Sequence, residues 1–352
     1  ISFNGTVIQR NFGAFLELLV DVLAHPGFAD EELALLRRET DAEIIESRDN
    51  DRALARRWFR RRMFAGHPYA RSVSGQRATV SKMTAEDVHG LHRRTWIREN
   101  LVLSFSGDLD QERARASAER ILAALGQGPP LRDSVDEPSG PRGRSLVFVD
   151  KPERTQTQIL IGGLGTRPHD LDHVALHVAN TVLGGTFTAR LMNEVRSKRG
   201  WSYGAYSSLP YDRHRQAFSM WTFPKASDAA ACIRLELDLL AAWCERGITK
   251  RELAWAKRYL TRSHAFAIDT ASKRVGLALD ALIYDLPAGY YDDYLDHIAG
   301  VTLEAANAAI RQRISPENLV IAVVGTASEI EADVRAAIPD LGAHEVVSFD
   351  AD

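Results

Sequence analysis

A pattern in this chain occurs twice, 218 residues apart. The first copy, Met83 to Leu109, reads MTAEDVHGLHRRTWIRENLVLSFSGDL, and the second, Val301 to Ala327, reads VTLEAANAAIRQRISPENLVIAVVGTA. Thr84 aligns with Thr302, Asn100 with Asn318, and Gly107 with Gly325. Each copy begins with Thr at a helix N-cap and Glu two residues on. A helical pattern follows, then Asn-Leu-Val and an apolar strand ending at Gly. The likeness extends upstream, where Leu16–Leu33 matches Leu235–Leu253. Long-period self-similarity governs the choice of fold, and two copies of this size imply two related domains rather than a solenoid.

The seam lies in GQGPPLRDSVDEPSGPRGR, Gly126 to Arg144, which has the Pro, Gly and charge content of a linker. The expected organisation is therefore a first domain over 1–126, a linker over 127–144 and a second domain over 145–352. The second copy holds about 74 residues with no counterpart in the first. The first domain is thus expected to be incomplete at its N-terminus, by truncation rather than by design, because a sheet lacking strands exposes a bare edge.

Within the second copy, SLVFVDK and QTQILIGGLG read as strands and HDLDHVALHVANTVLG as a helix. TFTARLMNEVRSK reads as another helix, stopping at Gly200. WSYGAYSSLP and RQAFSMWTF alternate like paired strands, and helices are expected over 226–244, 250–268 and 271–284. NLVIAVVG and a helix over 329–337 close the pattern. Grouped strands and grouped helices indicate α+β: two related domains, each a mainly antiparallel sheet covered on one face by helices.

Composition removes several functions. The net charge of −3 gives no general attraction to nucleic acid or anionic membrane, and no apolar run approaches the ~20 residues of a membrane helix. The opening ISFNGTVIQR has no secretory character, so a soluble protein is expected. Cys232 and Cys244, on one expected helix, would stand ~18 Å apart, too far for a disulfide.

Some residues invite chemistry. His169, His173 and His177 are spaced to stack on a helix face as metal ligands do, but Val174 stands where a general-base Glu is needed, so a surface helix is expected. His89 and His92 read the same way. The run RRWFRRRMF, Arg56 to Phe64, reads as a helix with a basic outer face over buried aromatics. From spacing alone, Arg196 suits a helix-end arginine and Tyr203 a strand core residue as well as a functional pair.

The segment LGGTFTARLMNEVRSKRGWSYGAYS, Leu183 to Ser207, resembles the pitrilysin/insulinase zinc metallopeptidases, including their mitochondrial-processing-peptidase-like bacterial members. The likeness rests on Gly184, Gly185, Arg190, Leu191, Arg196 and Tyr203. It is joined by FAGHPYARSVSG, Phe64 to Gly75, and by Glu39 and Glu46 on the helix RRETDAEIIES. The resemblance implies clamshell halves of paired α+β domains around a chamber, with zinc held in one half by H-x-x-E-H and a distant Glu. This chain contains no H-x-x-E-H; counting back from Glu46 places it ahead of Ile1.

By resemblance, Arg196 and Tyr203 bind the peptide and stabilise the transition state at the zinc site of the opposing half. Glu46 would be a metal ligand only beside an upstream H-x-x-E-H, with Glu39 orienting it. The expected function is a subunit of a zinc-dependent peptidase that is not catalytic alone. Its partner would be a homologous zinc-bearing subunit, or a second copy of itself, and its substrate an unfolded peptide that adds a strand to a sheet edge. Two alternatives stand: the catalytic chain of the same family, truncated before its zinc motif, and a non-enzymatic scaffold subunit. Neither nucleic acid nor membrane is expected as a partner, and the compartment would be a bacterial cytoplasm or periplasm.

Overall fold

A computed structural model describes residues 1–132 and 134–351. Asp133, inside the expected linker, and Asp352, at the end of the expected second domain, lie outside the described residues. The chain forms two compact units: Ile1–Glu43, Gln76–Ser134 and Ala267–Leu279 make one, and Ile44–Gly75, Val135–Phe266 and Asp280–Asp352 the other. No described helix is long and apolar enough to cross a membrane.

The second unit carries the sheet. Its strands are β1 (Arg144–Asp150), β2 (Gln158–Leu164), β3 (Ala205–Ser208), β4 (Ala217–Thr222), β5 (Val320–Gly325) and β6 (Leu341–Ser348), in spatial order β3-β4-β2-β5-β1-β6. The pairings β3/β4, β4/β2 and β2/β5 are antiparallel; β5/β1 and β1/β6 are parallel. This is a mixed α+β fold with a central sheet flanked by helices.

Both faces of the sheet are covered, where one was expected. Successive strand side chains point to opposite faces. Leu146 and Phe148 of β1, Ile159 and Ile161 of β2, and Ile321 and Val323 of β5 face the helices His173–Leu183, Ala229–Arg246, Leu303–Arg313 and Ala327–Ala337. Their neighbours Val147, Val149, Leu160, Val320, Ala322 and Val324 face Leu54, Ala55, Trp58, Phe59 and Met63 of the helix Asp51–Met63. The uninterrupted apolar runs SLVFV and LVIAVV are what a strand buried on both sides requires. Each fully buried aliphatic or aromatic side chain contributes ~1.5–3 kcal/mol, so the second layer is a large share of the core.

The helix Asp51–Met63 suits this position. Asn50 caps it, its Oδ1 accepting the Ala53 N–H at 3.0 Å, and Arg60, Arg61 and Arg62 in its last turn oppose the helix dipole. The arginines stay outward, as expected, while Trp58, Phe59, Met63 and Phe64 are buried. Gly162 makes room for the helix: a Cβ there would lie 2.1 Å from the Phe218 carbonyl and 3.0 Å from the Phe59 ring. Buried Lys151 fixes the helix start, donating to the Arg48 carbonyl and the Asp51 carboxylate, both at 2.8 Å.

In the first unit, Leu16 and Leu23 of the helix Phe12–Ala24 pack with Ile121 and Leu125 at the end of the helix Gln111–Ala124. Trp96, Leu101, Leu103 and Phe105 lie against them. Thr84 caps the helix Ala85–Thr95 in a reciprocal box with Asp87, and Thr302 caps its counterpart through the Ala305 N–H. Each aligned asparagine also accepts a backbone N–H with its Oδ1: Asn100 from Leu131 at 2.7 Å, Asn318 from Gly143 at 2.8 Å. The copies then diverge. Val320–Gly325 is the β5 strand between β1 and β2, whereas Leu101–Ser106, expected as a strand, forms none. His89 and His92 are half-buried rather than outward. Both rings pack edge-on to Phe28, and His92 Nε2 bonds the Leu23 carbonyl at 2.9 Å.

Two elements had no clear signal. The strand β6 is short of buried residues, and the helix Tyr294–Gly300 spans only two turns.

Candidate functional site

The segment that carries the family pattern begins with a locked turn. Gly184 accepts the Ser207 N–H at 2.9 Å, and the Ser207 hydroxyl donates to Asn180 Oδ1 at 2.6 Å. A Cβ on Gly184 would sit 2.4 Å from the Ser207 nitrogen, and one on Gly185 would sit 2.8 Å from Thr181 Cα. These glycines permit backbone packing; they do not form an anion cradle.

The helix expected after the turn is shorter and distorted. One α turn, Arg190–Met192, passes into a π-helical turn, Asn193–Ser197, in which the Lys198 N–H reaches back to the Asn193 carbonyl at 3.0 Å. Such turns are rare and frequent at functional sites. Arg190 is structural: its guanidinium grips Glu252 through two 2.7 Å bonds and also donates to the Gly247 carbonyl. Burial alone would raise the Glu252 carboxyl, but the Arg190 and Thr249 donors outweigh it and hold it below its ordinary value.

Gly200, at φ +66°, ends the turn and sends the chain back. Tyr203 returns to the guanidinium of Arg196, whose Cζ lies 4.2 Å from the centre of the Tyr203 ring and 4.5 Å from that of Phe187. Tyr203 is 74% exposed and Phe187 58%. Arg196 Nη1 is buried and meets no hydrogen-bond acceptor. The nearest acid in sequence, Glu194, is occupied by Lys198 at 2.5 Å and Arg199 at 2.8 Å, and those bonds hold its carboxyl below the ordinary range. An arginine has thus been brought to the surface beside two aromatic faces, with a donor to spare.

The other expected residues fall elsewhere. Glu39 and Glu46 are exposed on the helix Asp30–Glu46. Among the described residues no group of three or more His, Cys, Asp or Glu side chains is placed to hold a metal. The donors on hand among the described residues therefore do not by themselves make a zinc site.

The three histidines do not line one exposed helix face: His173 is buried, His177 half-buried and His169 exposed. His169 precedes the helix and bonds the Asp285 carbonyl at 2.5 Å. His173 is buried between Thr166 Oγ1 at 2.8 Å and the Tyr290 hydroxyl at 3.2 Å, and burial pushes its pKa down to about 4. His177 is depressed by burial as well.

The GHPYAR loop packs within the second unit through His67 and Tyr69. His67 Nδ1 accepts the Tyr69 N–H at 3.1 Å, so Nε2 is the donor to the Asp136 carbonyl at 2.8 Å. The Tyr69 ring packs on His67 and His214, and burial with the Asp212 charge pushes its hydroxyl up to about 12. Cys232 and Cys244 are free thiols on one helix.

Sequence reading had missed Phe187. Its one sequence signal is an aromatic residue two positions after the Gly184-Gly185 pair; the structure leaves it exposed and outside the core.

Residues 82–260, half of the chain, match the family model described as the Peptidase M16 inactive domain. The chain belongs to that family. This M16 domain superposes on the crystal structure of a peptidase M16 inactive domain from Pseudomonas fluorescens with a TM-score of 0.82 at 29% identity, over 90% of this chain and 76% of that one. Among curated relatives, an uncharacterized zinc protease of Mycobacterium tuberculosis is 28% identical over 88% of this chain and 71% of its own length. The non-peptidase homolog YmxG of Helicobacter pylori is 23% identical over 87% and 70%. The chain is an M16-family inactive domain without a complete zinc site among its described residues.

Proposed function

We propose that this M16 domain works as the Arg/Tyr-bearing subunit of a two-part peptidase, pairing with a homologous chain that holds the zinc. The observation that carries this reading is the state of Arg196: close to Tyr203, with a buried N–H that meets no acceptor and its neighbouring acid already engaged. A buried donor without a partner costs ~1–3 kcal/mol, and one retained at a surface site suits an acceptor that arrives with a ligand.

The chemistry follows from the two groups. When a peptide carbonyl is attacked, negative charge develops on its oxygen. A guanidinium N–H and a phenol O–H aimed at that oxygen stabilise the transition state more than the ground state. The polarising metal would come from the partner. An unfolded peptide could be held at the edge of the sheet by backbone hydrogen bonds, close in sequence to Tyr203. Glu46 would serve a metal only beside two histidines and a glutamate from elsewhere.

The name of the Helicobacter pylori relative favours a second reading, a non-enzymatic assembly subunit. Reconstitution separates the two. The chain is mixed with the zinc-bearing M16 relative of its own genome and an internally quenched, unstructured peptide. Cleavage that requires both chains supports the subunit reading; a stable complex with no added turnover supports the scaffold.

A further inference from the structure

Phe187 is a large apolar side chain that takes no part in the hydrophobic core of its unit, although its neighbours Thr186 and Ala189 are buried. It is 58% exposed, and its ring lies 4.5 Å from Arg196 Cζ. The loop that carries it is held at its base by Gly184 against Ser207 and by Gly185 against Thr181, so the backbone two residues before the ring is fixed. An exposed phenylalanine on an anchored loop, aimed at one arginine, requires an explanation that core packing does not provide.

Electrostatics supplies it. A carboxylate beside Arg196 would neutralise the guanidinium by consuming its N–H groups. An aromatic face attracts the cation through its quadrupole and takes no N–H donor. Phe187 and Tyr203 together stabilise the positive charge and restrict a long side chain, while Nη1 stays without an acceptor. Holding a donor in place before the reaction avoids reorganisation as charge develops.

We propose that Phe187 is a positioning residue that fixes the Arg196 guanidinium against Tyr203 for an incoming peptide carbonyl. This rests on the reading of Arg196 and Tyr203 given above.

The test is a double-mutant cycle in the reconstituted two-chain peptidase, with the internally quenched peptide. Phe187→Leu keeps apolar bulk and removes the π face, Phe187→Trp keeps a π face, and each is combined with Arg196→Ala. Phe187→Leu should lower kcat about three- to tenfold, the loss of one partly desolvated cation–π contact, with little change in KM. Phe187→Trp should restore it, and Phe187→Leu should cause no further loss once Arg196 is alanine. Thermal midpoints should match across the set, because the side chain lies outside the core. Full activity of Phe187→Leu, or an undiminished effect in the Arg196→Ala background, would overturn the inference while leaving the Arg/Tyr reading intact. Full activity of Arg196→Ala would overturn both.

Discussion

Arg196 Cζ, in the π-helical turn, stands 4.2 Å from the centre of the Tyr203 ring on the far side of the left-handed Gly200. In the proposed function Tyr203 has two parts to play: its face holds the arginine and its hydroxyl donates to the substrate. These roles can be divided. In the reconstituted peptidase, Tyr203→Phe should keep the stacking and lower kcat about tenfold or more by removing one donor to the oxyanion. Tyr203→Leu should lower it further, because Arg196 then loses a wall. Equal losses in the two variants would show that the ring contributes nothing.

Glu236 should make stability depend on pH. It is fully buried, with one carboxyl oxygen accepting the Thr222 hydroxyl at 3.1 Å and the other meeting no partner. Burial raises its pKa from 4.5 to about 8, against the smaller lowering effect of Thr222. A raised carboxyl stabilises the fold fully below the unfolded value, and the contribution is lost as pH rises through the folded one. His173 acts in the opposite sense: depressed from 6.5 to about 4, it contributes above the unfolded value and loses that contribution as pH falls. The two oppose each other between pH 4.5 and 6.5, and Glu236 stands alone between 6.5 and 8. The unfolding free energy from urea titrations there should fall with pH, by ~1.4 kcal/mol per unit at most, and Glu236→Gln should flatten the decline. Parallel pH curves for the two proteins would refute the assignment.

Gly162→Ala should be severely destabilising. The new methyl meets the Phe218 backbone at 2.1 Å, and backbone cannot swing aside as a flexible side chain can. A loss of about 2–4 kcal/mol is expected in denaturant unfolding, toward the upper end of overpacking costs. Shortening Phe59, whose ring lies 3.0 Å from that methyl, should recover only a small part.

Lys151→Met should loosen the start of the helix Asp51–Met63. It leaves the Arg48 carbonyl and the partly buried Asp51 carboxylate without the ammonium. Breaking one side of a buried ion pair costs ~3–5 kcal/mol, and Asp51→Asn added to Lys151→Met should return part of it. Arg154, 3.8 Å from Asp51, limits the loss. Hydrogen exchange of the helix amides is the measurement, and unchanged protection would count against the anchor.

Much of the second unit was legible because its elements are strongly periodic. The capping threonines accept the equivalent backbone N–H in both copies, and each aligned asparagine accepts a backbone N–H, though from a different part of the chain. What escaped has physical reasons. An apolar run does not state how many faces it buries, so SLVFV and LVIAVV do not reveal that the buried aromatics Trp58 and Phe59 cover the second face of the sheet. Leu101–Ser106 has the composition of a strand, but strands need ladder partners and local sequence cannot supply them. The histidine spacing was correct arithmetic on a helix that begins only at His173. At the candidate site, motif resemblance singles out Arg196 and Tyr203 but not Phe187, whose approach to Arg196 depends on a loop closing over nine residues of chain.

Turnover by the reconstituted pair with Arg196→Ala, measured at saturating partner alongside the affinity between the chains, bears most directly on the claim that this chain completes a site held by another. The expected result is unchanged association with kcat reduced by about two orders of magnitude, the usual effect of removing an oxyanion donor. Unchanged association with unchanged kcat would contradict it.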